Sequence, residues 1–184
     1  MKKNTTKEEL RKEIAILKKT YSAEDLLNMS DEVFSVLEIT GNFQEAKNIF
    51  IYNSLSDEVS TPSFIQKWKD KKNFFLPAIE SDEIVFRPYQ ENEDYKTSEL
   101  GIKEPQGANF VNFDKVDMII VPGVAFDRKM NRMGRGKGYY DRFLPKLKAT
   151  KVGICFDFQL FSDIPCNSND IKMDMLISEN DLIW

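Results

Sequence analysis

The alternation of apolar strands with amphipathic helices is the feature of this sequence that most restricts its fold. Residues 46–52 are rich in β-branched and aromatic side chains, which predicts a buried strand, and residues 117–121 form the clearest central strand. In all, the apolar pattern predicts about six strands, over residues 46–52, 73–79, 84–86, 117–121, 151–156 and 175–177.

Helices are predicted between these strands. Thr6 and Glu9 have the spacing of a capping box, and apolar residues then recur at helical intervals, so a helix is expected over residues 7–19. Thr61 followed by Pro62 predicts another helix start, with threonine as N-cap and proline in the first turn. Two further helices are expected, from Ser22 to about Ile39 and over residues 138–147.

Strands that alternate with helices in this way are typical of an α/β fold. We therefore expect a single domain over residues 1–184 with a Rossmann-like, three-layer architecture, in which helices flank a mostly parallel central sheet of about six strands. Residues 88–115 are polar and form a long connection for a compact domain, which favours a binding loop.

Composition excludes several kinds of chemistry. The 184 residues include no histidine, so a Ser-His-Asp triad, a Cys-His dyad and a histidine zinc site cannot form. The net charge of −4 argues against a nucleic-acid partner, and no apolar run is long enough to span a membrane. Because residues 1–9 lack the apolar core of a secretory signal, we expect a cytoplasmic protein, and we expect it to be a monomer.

The decapeptide RMGRGKGYYD, residues 132–141, points most directly to a ligand. Its three glycines leave backbone N–H groups open, and its three cations add positive charge to the same short segment. These residues are Gly134, Gly136 and Gly138, and Arg132, Arg135 and Lys137. Because the segment lies beyond a central strand and runs into a predicted helix, we expect a polyphosphate site, beside which Asp141 is a candidate Mg²⁺ ligand.

The glycine spacing alone does not name a reaction. The pattern Gly134-x-Gly-x-Gly138 is neither the GxGxxG dinucleotide motif nor the GxxxxGK[ST] P-loop. By itself it is compatible with a flexible turn. It is also compatible with another α/β enzyme that uses ATP or a phosphorylated small molecule, such as a kinase or a sugar-phosphate isomerase.

With its neighbours, the decapeptide resembles a known family. VPGVAFD at residues 121–127, followed by RMGRGKGYYDR at residues 132–142, is similar to the VPGxAFD…RxGxGxGYYDR motif of 5-formyltetrahydrofolate cyclo-ligases, also called methenyltetrahydrofolate synthetases. The resemblance covers nearly the whole chain. Weaker matches follow the order of that family: KEELR at 7–11, DEVST at 57–61, GIKEP at 101–105 and NDIKMD at 169–174. Met130 departs from the family where many members have glycine, and Asn169 where many have histidine.

The resemblance implies an ATP- and Mg²⁺-dependent ligase that converts 5-formyltetrahydrofolate to 5,10-methenyltetrahydrofolate and releases ADP and phosphate. In the family mechanism the formyl oxygen attacks the γ-phosphate, N10 then closes on the activated carbon, and phosphate leaves. Because the substrate supplies both nucleophiles, a chain without histidine suits this chemistry, which asks mainly for positioning and charge stabilisation.

The resemblance also implies roles for individual residues. It assigns ATP to Lys7, Arg11, Arg132, Met133, Gly134, Arg135, Gly136, Lys137, Gly138, Tyr139 and Tyr140, among which Arg135 and Lys137 are the catalytic cations. It assigns the folate to Asn53, Glu58, Tyr139 and Tyr140, and Mg²⁺ to Asp141 and Asp170. The roles of Glu104 and Arg87 stay open. A non-catalytic homologue that binds folate or nucleotide is a further alternative.

Overall fold

The computed structural model describes residues 5–91, 95–97, 101 and 103–184. The strands in these residues are β1 Asn48–Ile51, β2 Asn73–Glu80, β3 Glu83–Pro88, β4 Lys96–Thr97, β5 Lys103–Glu104, β6 Met118–Val121, β7 Ala125–Asp127, β8 Arg132–Met133, β9 Thr150–Ile154, β10 Leu160–Phe161, β11 Met175–Ile177 and β12 Leu182–Ile183. The α-helices are α1 Lys7–Lys18, α2 Ala23–Glu38, α3 Gly41–Glu45, α4 Pro62–Trp68 and α5 Tyr139–Phe143. None of these helices is long and apolar enough to cross a membrane.

A mostly parallel sheet forms the centre of the molecule. Within the described residues it has seven strands in the order β12-β11-β9-β6-β1-β2-β3. The inner strands pair in parallel, and β12 and β3 are antiparallel edges. The predicted α/β fold is confirmed. The additional strand β12 was not predicted, because two residues are too few to show a periodicity.

The central sheet is buried on both faces. Each inner strand contributes apolar side chains to both, because successive side chains point to opposite sides. Ile49 and Ile51 of β1 belong to the apolar cluster that includes Phe34 of α2. Phe50 lies in the opposite cluster, where its ring stacks on Phe86 with centroids 4.1 Å apart. The helices thus cover two apolar faces of one sheet, which is the three-layer arrangement expected from the sequence.

The parallel pair β1 and β6 is fastened at its amino-terminal end by one carboxylate. Asp117 Oδ2 accepts hydrogen bonds from the backbone N–H groups of Lys47 and Asn48, both at 2.8 Å. Asp117 immediately precedes β6, so these bonds align the starts of the two strands. Consequently the carboxyl ends of both strands, and the loops that follow them, meet at the same edge of the sheet.

A second sheet, in the order β10-β7-β8, carries the first helix. Leu10 and Ile14 of α1 are buried against Val124, Ala125 and Met133. These strands have only two or three residues and were not predicted. The first two residues of the decapeptide at 132–141 form β8, which pairs with β7, so the glycine loop begins at residue 134.

The predicted helix starts are only partly confirmed. Thr6 and Glu9 form the expected capping box, with the Thr6 N–H donating to Glu9 Oε2 at 2.8 Å. Helix α4 begins at Pro62, but the Thr61 hydroxyl does not cap it. Instead it donates to the Tyr52 carbonyl at 3.0 Å, because the loop after β1 is buried there and its backbone needs partners.

The helix expected over residues 138–147 is shorter than predicted. Helix α5 ends at Phe143 and continues as a 3₁₀ turn over Leu144–Lys146. Pro145 removes a backbone donor and disfavours a longer α-helix. A helix of five residues has a small dipole, so an anion at its start depends more on the loop N–H groups and the cations than on the helix.

Arg87 fastens the polar connection at 88–115 to the sheet. Its guanidinium is buried, donates to Asn109 Oδ1 at 2.9 Å and to the Pro105 carbonyl at 2.8 Å, and pairs with Glu80. The side chain is therefore part of the scaffold. In the expected binding loop, β4 pairs with β5. Residues 92–94, 98–100 and 102, including the isoleucine of GIKEP, lie outside the described part.

Asp127 organises the turn between β7 and β8. Its carboxylate is fully buried and accepts four hydrogen bonds, from the Lys129, Asn131 and Ile164 N–H groups and the Asn131 amide, at 2.9–3.1 Å. This turn leads directly into β8 and the glycine loop.

We expect Asp127→Ala to lower the free energy of unfolding by about 3 kcal/mol or more, because several buried donors lose a charged acceptor. Urea denaturation would measure the change. Asp163→Ala is the control, since Asp163 forms an exposed pair with Lys129 and should cost at most about 1 kcal/mol. Equal losses for the two variants would contradict the prediction.

Candidate active site

A cavity of about 1110 Å³ opens at the carboxyl edge of the central sheet. Its walls include the ends of three neighbouring strands, at Tyr52 and Asn53, at Pro77, Ala78 and Ile79, and at Pro122 and Gly123. This is the edge at which parallel sheets collect ligands, and the volume is large enough for a drug-sized molecule and more.

Helix α1 forms one wall of the cavity. Its apolar side is held by the second sheet, which turns Lys7 and Arg11 towards the cavity. Arg11 Nε donates to the Gly134 carbonyl at 2.9 Å, and Lys7 forms an ion pair with Asp170. Lys7 and Arg11, four residues apart, therefore lie on the same face of the helix.

The glycine loop, residues 134–138, presents its backbone to the cavity. Gly136 and Gly138 have φ angles of +106° and +70°, which a residue with a side chain rarely adopts. Within the described residues, the N–H groups of 135–138 have no hydrogen-bond partner. Arg142 donates to the Lys137 carbonyl at 2.9 Å. Open N–H groups next to cations make this loop suited to an anion.

Arg132 lies beneath the loop. The residue is 4% exposed, and its terminal nitrogens donate to Asp141 Oδ1 at 2.9 Å and to the Pro122 carbonyl at 3.2 Å. Its Nε is buried without a partner among the described residues, and its guanidinium lies 5.5 Å from the centre of the Tyr140 ring. Burial raises the pKa of Tyr140, so its phenol stays protonated at neutral pH.

Two carboxylates meet at the end of the cavity near the start of α1. Asp141 Oδ1 lies 3.5 Å from the N–H of Ile171, the residue after Asp170. Asp170 Oδ2 also accepts the Asn167 N–H at 2.8 Å. Among the described residues, no group of three or more acidic or cysteine side chains could hold a metal. Two carboxylates fit Mg²⁺ that takes its other ligands from phosphate and water.

Near the loop after β1, the cavity is lined by Glu58 and Asn53. Glu58 accepts the Leu55 N–H at 3.1 Å, and its side chain is 11% exposed. The Asn53 amide donates to the Lys103 carbonyl at 2.9 Å, which links the loop after β1 to β5. Glu104 also lines the cavity, whereas Arg87 does not.

Arg135 bridges the glycine loop and the loop after β1. Its Nε and one terminal nitrogen contact Glu58 Oε1 at 3.1 and 3.0 Å, and the same terminal nitrogen contacts Asp57 Oδ1 at 2.7 Å. The residue assigned to ATP thus touches a residue assigned to the folate. The two halves of the cavity meet at this ion pair.

All but one of the residues assigned from the sequence line the cavity. The exception is Met133, whose side chain packs with Leu10 and Ile14 on the far side of β8. The ligand roles themselves stay predictions. Sequence reasoning missed Asp57 and Lys18. Lys18 lies seven residues after Arg11, which is about two helical turns. This spacing predicts that Lys18 lies on the same helix face as Arg11.

Comparison with known proteins agrees with this architecture. Residues 3–179 match the family model of the 5-formyltetrahydrofolate cyclo-ligase family. The chain belongs to this family. A 5-formyltetrahydrofolate cyclo-ligase from Haemophilus influenzae is 33% identical over 73% of this chain and 77% of its own length. The predicted family, and with it the ligase class, is confirmed.

Solved structures of cyclo-ligases share the fold. The 5,10-methenyltetrahydrofolate synthetase of Aquifex aeolicus is 35% identical, superimposes with a TM-score of 0.86, and is matched over 96% of this chain and 91% of its own. The Mycoplasma pneumoniae 5,10-methenyltetrahydrofolate synthetase is 25% identical with a TM-score of 0.74, over 95% of this chain and 99% of its own.

The backbone explains one departure from the cyclo-ligase motif. Met130, where many members have glycine, has a φ of +69°, in the left-handed region that glycine adopts without strain. For another residue this conformation costs on the order of 1–2 kcal/mol. Packing of the half-buried side chain and a hydrogen bond of 2.9 Å from the Met173 N–H to the Met130 carbonyl offset that cost.

We expect Gly136→Ala to raise the KM for ATP by about tenfold, because a Cβ at this φ strains the loop by on the order of 1–3 kcal/mol. Steady-state kinetics with varied ATP would measure it. Gly41→Ala is the matched control, since a Cβ there meets nothing within 4 Å. A folded Gly136→Ala variant with the KM of the control would contradict the role of the loop.

Proposed function

We propose that this chain converts 5-formyltetrahydrofolate to 5,10-methenyltetrahydrofolate in an ATP- and Mg²⁺-dependent reaction that releases ADP and phosphate. Membership of the cyclo-ligase family over nearly the whole chain carries the proposal. A cavity lined by both cations and apolar side chains supports it, because one substrate carries phosphates and the other an aromatic ring system. The expectations of a single domain, a monomer and a cytoplasmic location stay predictions.

The reaction needs no nucleophile from the protein. The formyl oxygen attacks the γ-phosphorus while the bond to ADP breaks, which makes the formyl carbon electrophilic. N10 then bonds to that carbon and loses its proton, and the carbon–oxygen bond breaks to release phosphate. The protein must align the two substrates and stabilise the charge on the transferring group.

The glycine loop and its neighbouring cations are proposed to hold the phosphates. The open N–H groups of residues 135–138 would donate hydrogen bonds to phosphate oxygens, as in an anion nest, and Lys137 and Arg11 would add charge. Asp141 and Asp170 would hold Mg²⁺, which supplies charge neutralisation on the phosphates when bound. Lys7 and Arg132 would keep these two carboxylates in place, since each forms an ion pair with one of them.

The folate is proposed to occupy the end of the cavity near the loop after β1. Glu58 is a hydrogen-bond acceptor for the N–H donors of the pterin, and Asn53 lies beside it. Tyr139 and Tyr140 line the boundary between the folate and the phosphates. Arg135 and Lys137 would stabilise the transferring phosphoryl group at this boundary as the catalytic cations.

The decisive experiment mixes the purified chain with 5-formyltetrahydrofolate, ATP and Mg²⁺ and follows the absorbance of methenyltetrahydrofolate. We expect a signal that requires ATP and that EDTA abolishes. ATP hydrolysis that does not depend on folate would favour another phosphate-using enzyme. Tight folate binding without turnover would favour a non-catalytic homologue.

We expect Lys137→Ala to lower kcat/KM for ATP by at least about tenfold, because a positioned charge at the phosphates is lost. The fold should be unaffected, since the Lys137 side chain is exposed. Lys148→Ala is the control, because Lys148 is exposed and pairs with Asp114 away from the cavity. Unchanged ATP kinetics in Lys137→Ala would remove this residue from the site.

A further inference from the structure

Arg135 is shared between two carboxylates that have different surroundings. Glu58 is nearly buried and faces the cavity, where the folate is proposed to bind. Asp57 is partly exposed, does not line the cavity, and contacts the same guanidinium at 2.7 Å. If the pterin donates its N–H groups to Glu58, Asp57 is the acceptor that Arg135 retains.

Asp57 is itself held by a buried cation. Lys18, the last residue of α1, is 6% exposed, and its Nζ lies 3.1 Å from Asp57 Oδ2 and also contacts the Asp57 carbonyl. One carboxylate oxygen therefore binds Lys18 and the other binds Arg135. An aspartate fixed at both oxygens and at its carbonyl has little freedom to move.

Charge balance supports the same arrangement. Burial alone would raise the pKa of Asp57, but Lys18 and Arg135 outweigh burial and hold this pKa below its ordinary value. The carboxylate is thus ionised at neutral pH. Burial alone would lower the pKa of Arg135, but the carboxylates of Glu58 and Asp57 outweigh burial and raise this pKa. The contacts run from Lys18 of α1 to Asp57 in the loop after β1, and from there to Arg135 in the glycine loop. Arg135 in turn contacts Glu58, the neighbour of Asp57.

We infer that Asp57 is a positioning residue, which holds Arg135 at the boundary between the phosphate and folate ends of the cavity while Glu58 is engaged by the pterin. The inference rests on the proposed function and adds to it a residue that touches neither substrate. Asp57 acts through Arg135, and Lys18 fixes Asp57. Loss of Asp57 should therefore affect the phosphoryl-transfer step more than binding of the folate.

The test is a double-mutant cycle with Asp57→Asn, Arg135→Ala and the double variant, in which kcat and both KM values are measured. Asp57→Asn should lower kcat by about tenfold to about a hundredfold, because a displaced catalytic group costs this much. Its KM for 5-formyltetrahydrofolate should stay within about twofold. In the Arg135→Ala background, Asp57→Asn should have no further effect, because the residue through which it acts is gone.

Controls separate this role from a structural one. Asp114→Asn, in an exposed pair with Lys148, should keep the wild-type kcat and KM values. Asp57→Glu retains the charge and should keep more of kcat than Asp57→Asn. Melting temperatures of all variants would show whether a loss of kcat reflects unfolding. If Asp57 had only a structural role, the losses of kcat in Asp57→Asn and Arg135→Ala would multiply in the double variant.

Three outcomes would overturn the inference. An unchanged kcat in Asp57→Asn would do so, as would effects of Asp57→Asn and Arg135→Ala that multiply. A higher KM for 5-formyltetrahydrofolate with unchanged kcat would make Asp57 a direct folate ligand instead. A wild-type chain without ATP-dependent turnover would overturn the proposed function and the inference together, whereas an active wild type with one of the three outcomes overturns only the inference.

Discussion

The parallel pairing of β1 with β6 is the constraint on which the rest of the site depends. Asp117 aligns the amino-terminal ends of these strands, so their carboxyl ends release two loops side by side. One loop carries Glu58, and the other leads through β7 and β8 to the glycines. Residues 58 and 135 are far apart in sequence, yet they come into contact because two neighbouring strands end at one edge.

The sequence predicted those parts of the fold that have long periodic patterns. The six strands of the central sheet other than β12 and the helices α1 and α2 were recognisable, and the motif around residue 134 located the cavity. The strands β7, β8 and β10 were not predicted, because the pairing of such short segments is decided by tertiary contacts. Thr61 precedes α4 as predicted, but its hydroxyl donates to a buried loop carbonyl and does not cap the helix. The spacing after Arg11 places Lys18 on the same helix face, but its pairing with Asp57 depends on the docking of α1, which local spacing does not encode.

Three carboxylates that line the cavity are each paired with a cation of the protein. Asp170 is paired with Lys7, Asp141 with Arg132, and Glu58 with Arg135. A polyphosphate, a metal or a pterin would therefore exchange one set of ion pairs for another. The affinity of each ligand reflects the difference between the two sets, since pairs already formed must be given up. The same pairing keeps the side chains in place, which reduces the reorganisation needed for catalysis.

Helix α1 packs in an apolar cluster of its own, apart from the two clusters that cover the central sheet. Yet it supplies three cations over about 16 Å of its length, at Lys7, Arg11 and Lys18. Elements with few buried contacts can open locally while the core stays folded. We therefore expect that local undocking of this one helix would displace all three cations while the central sheet stays folded.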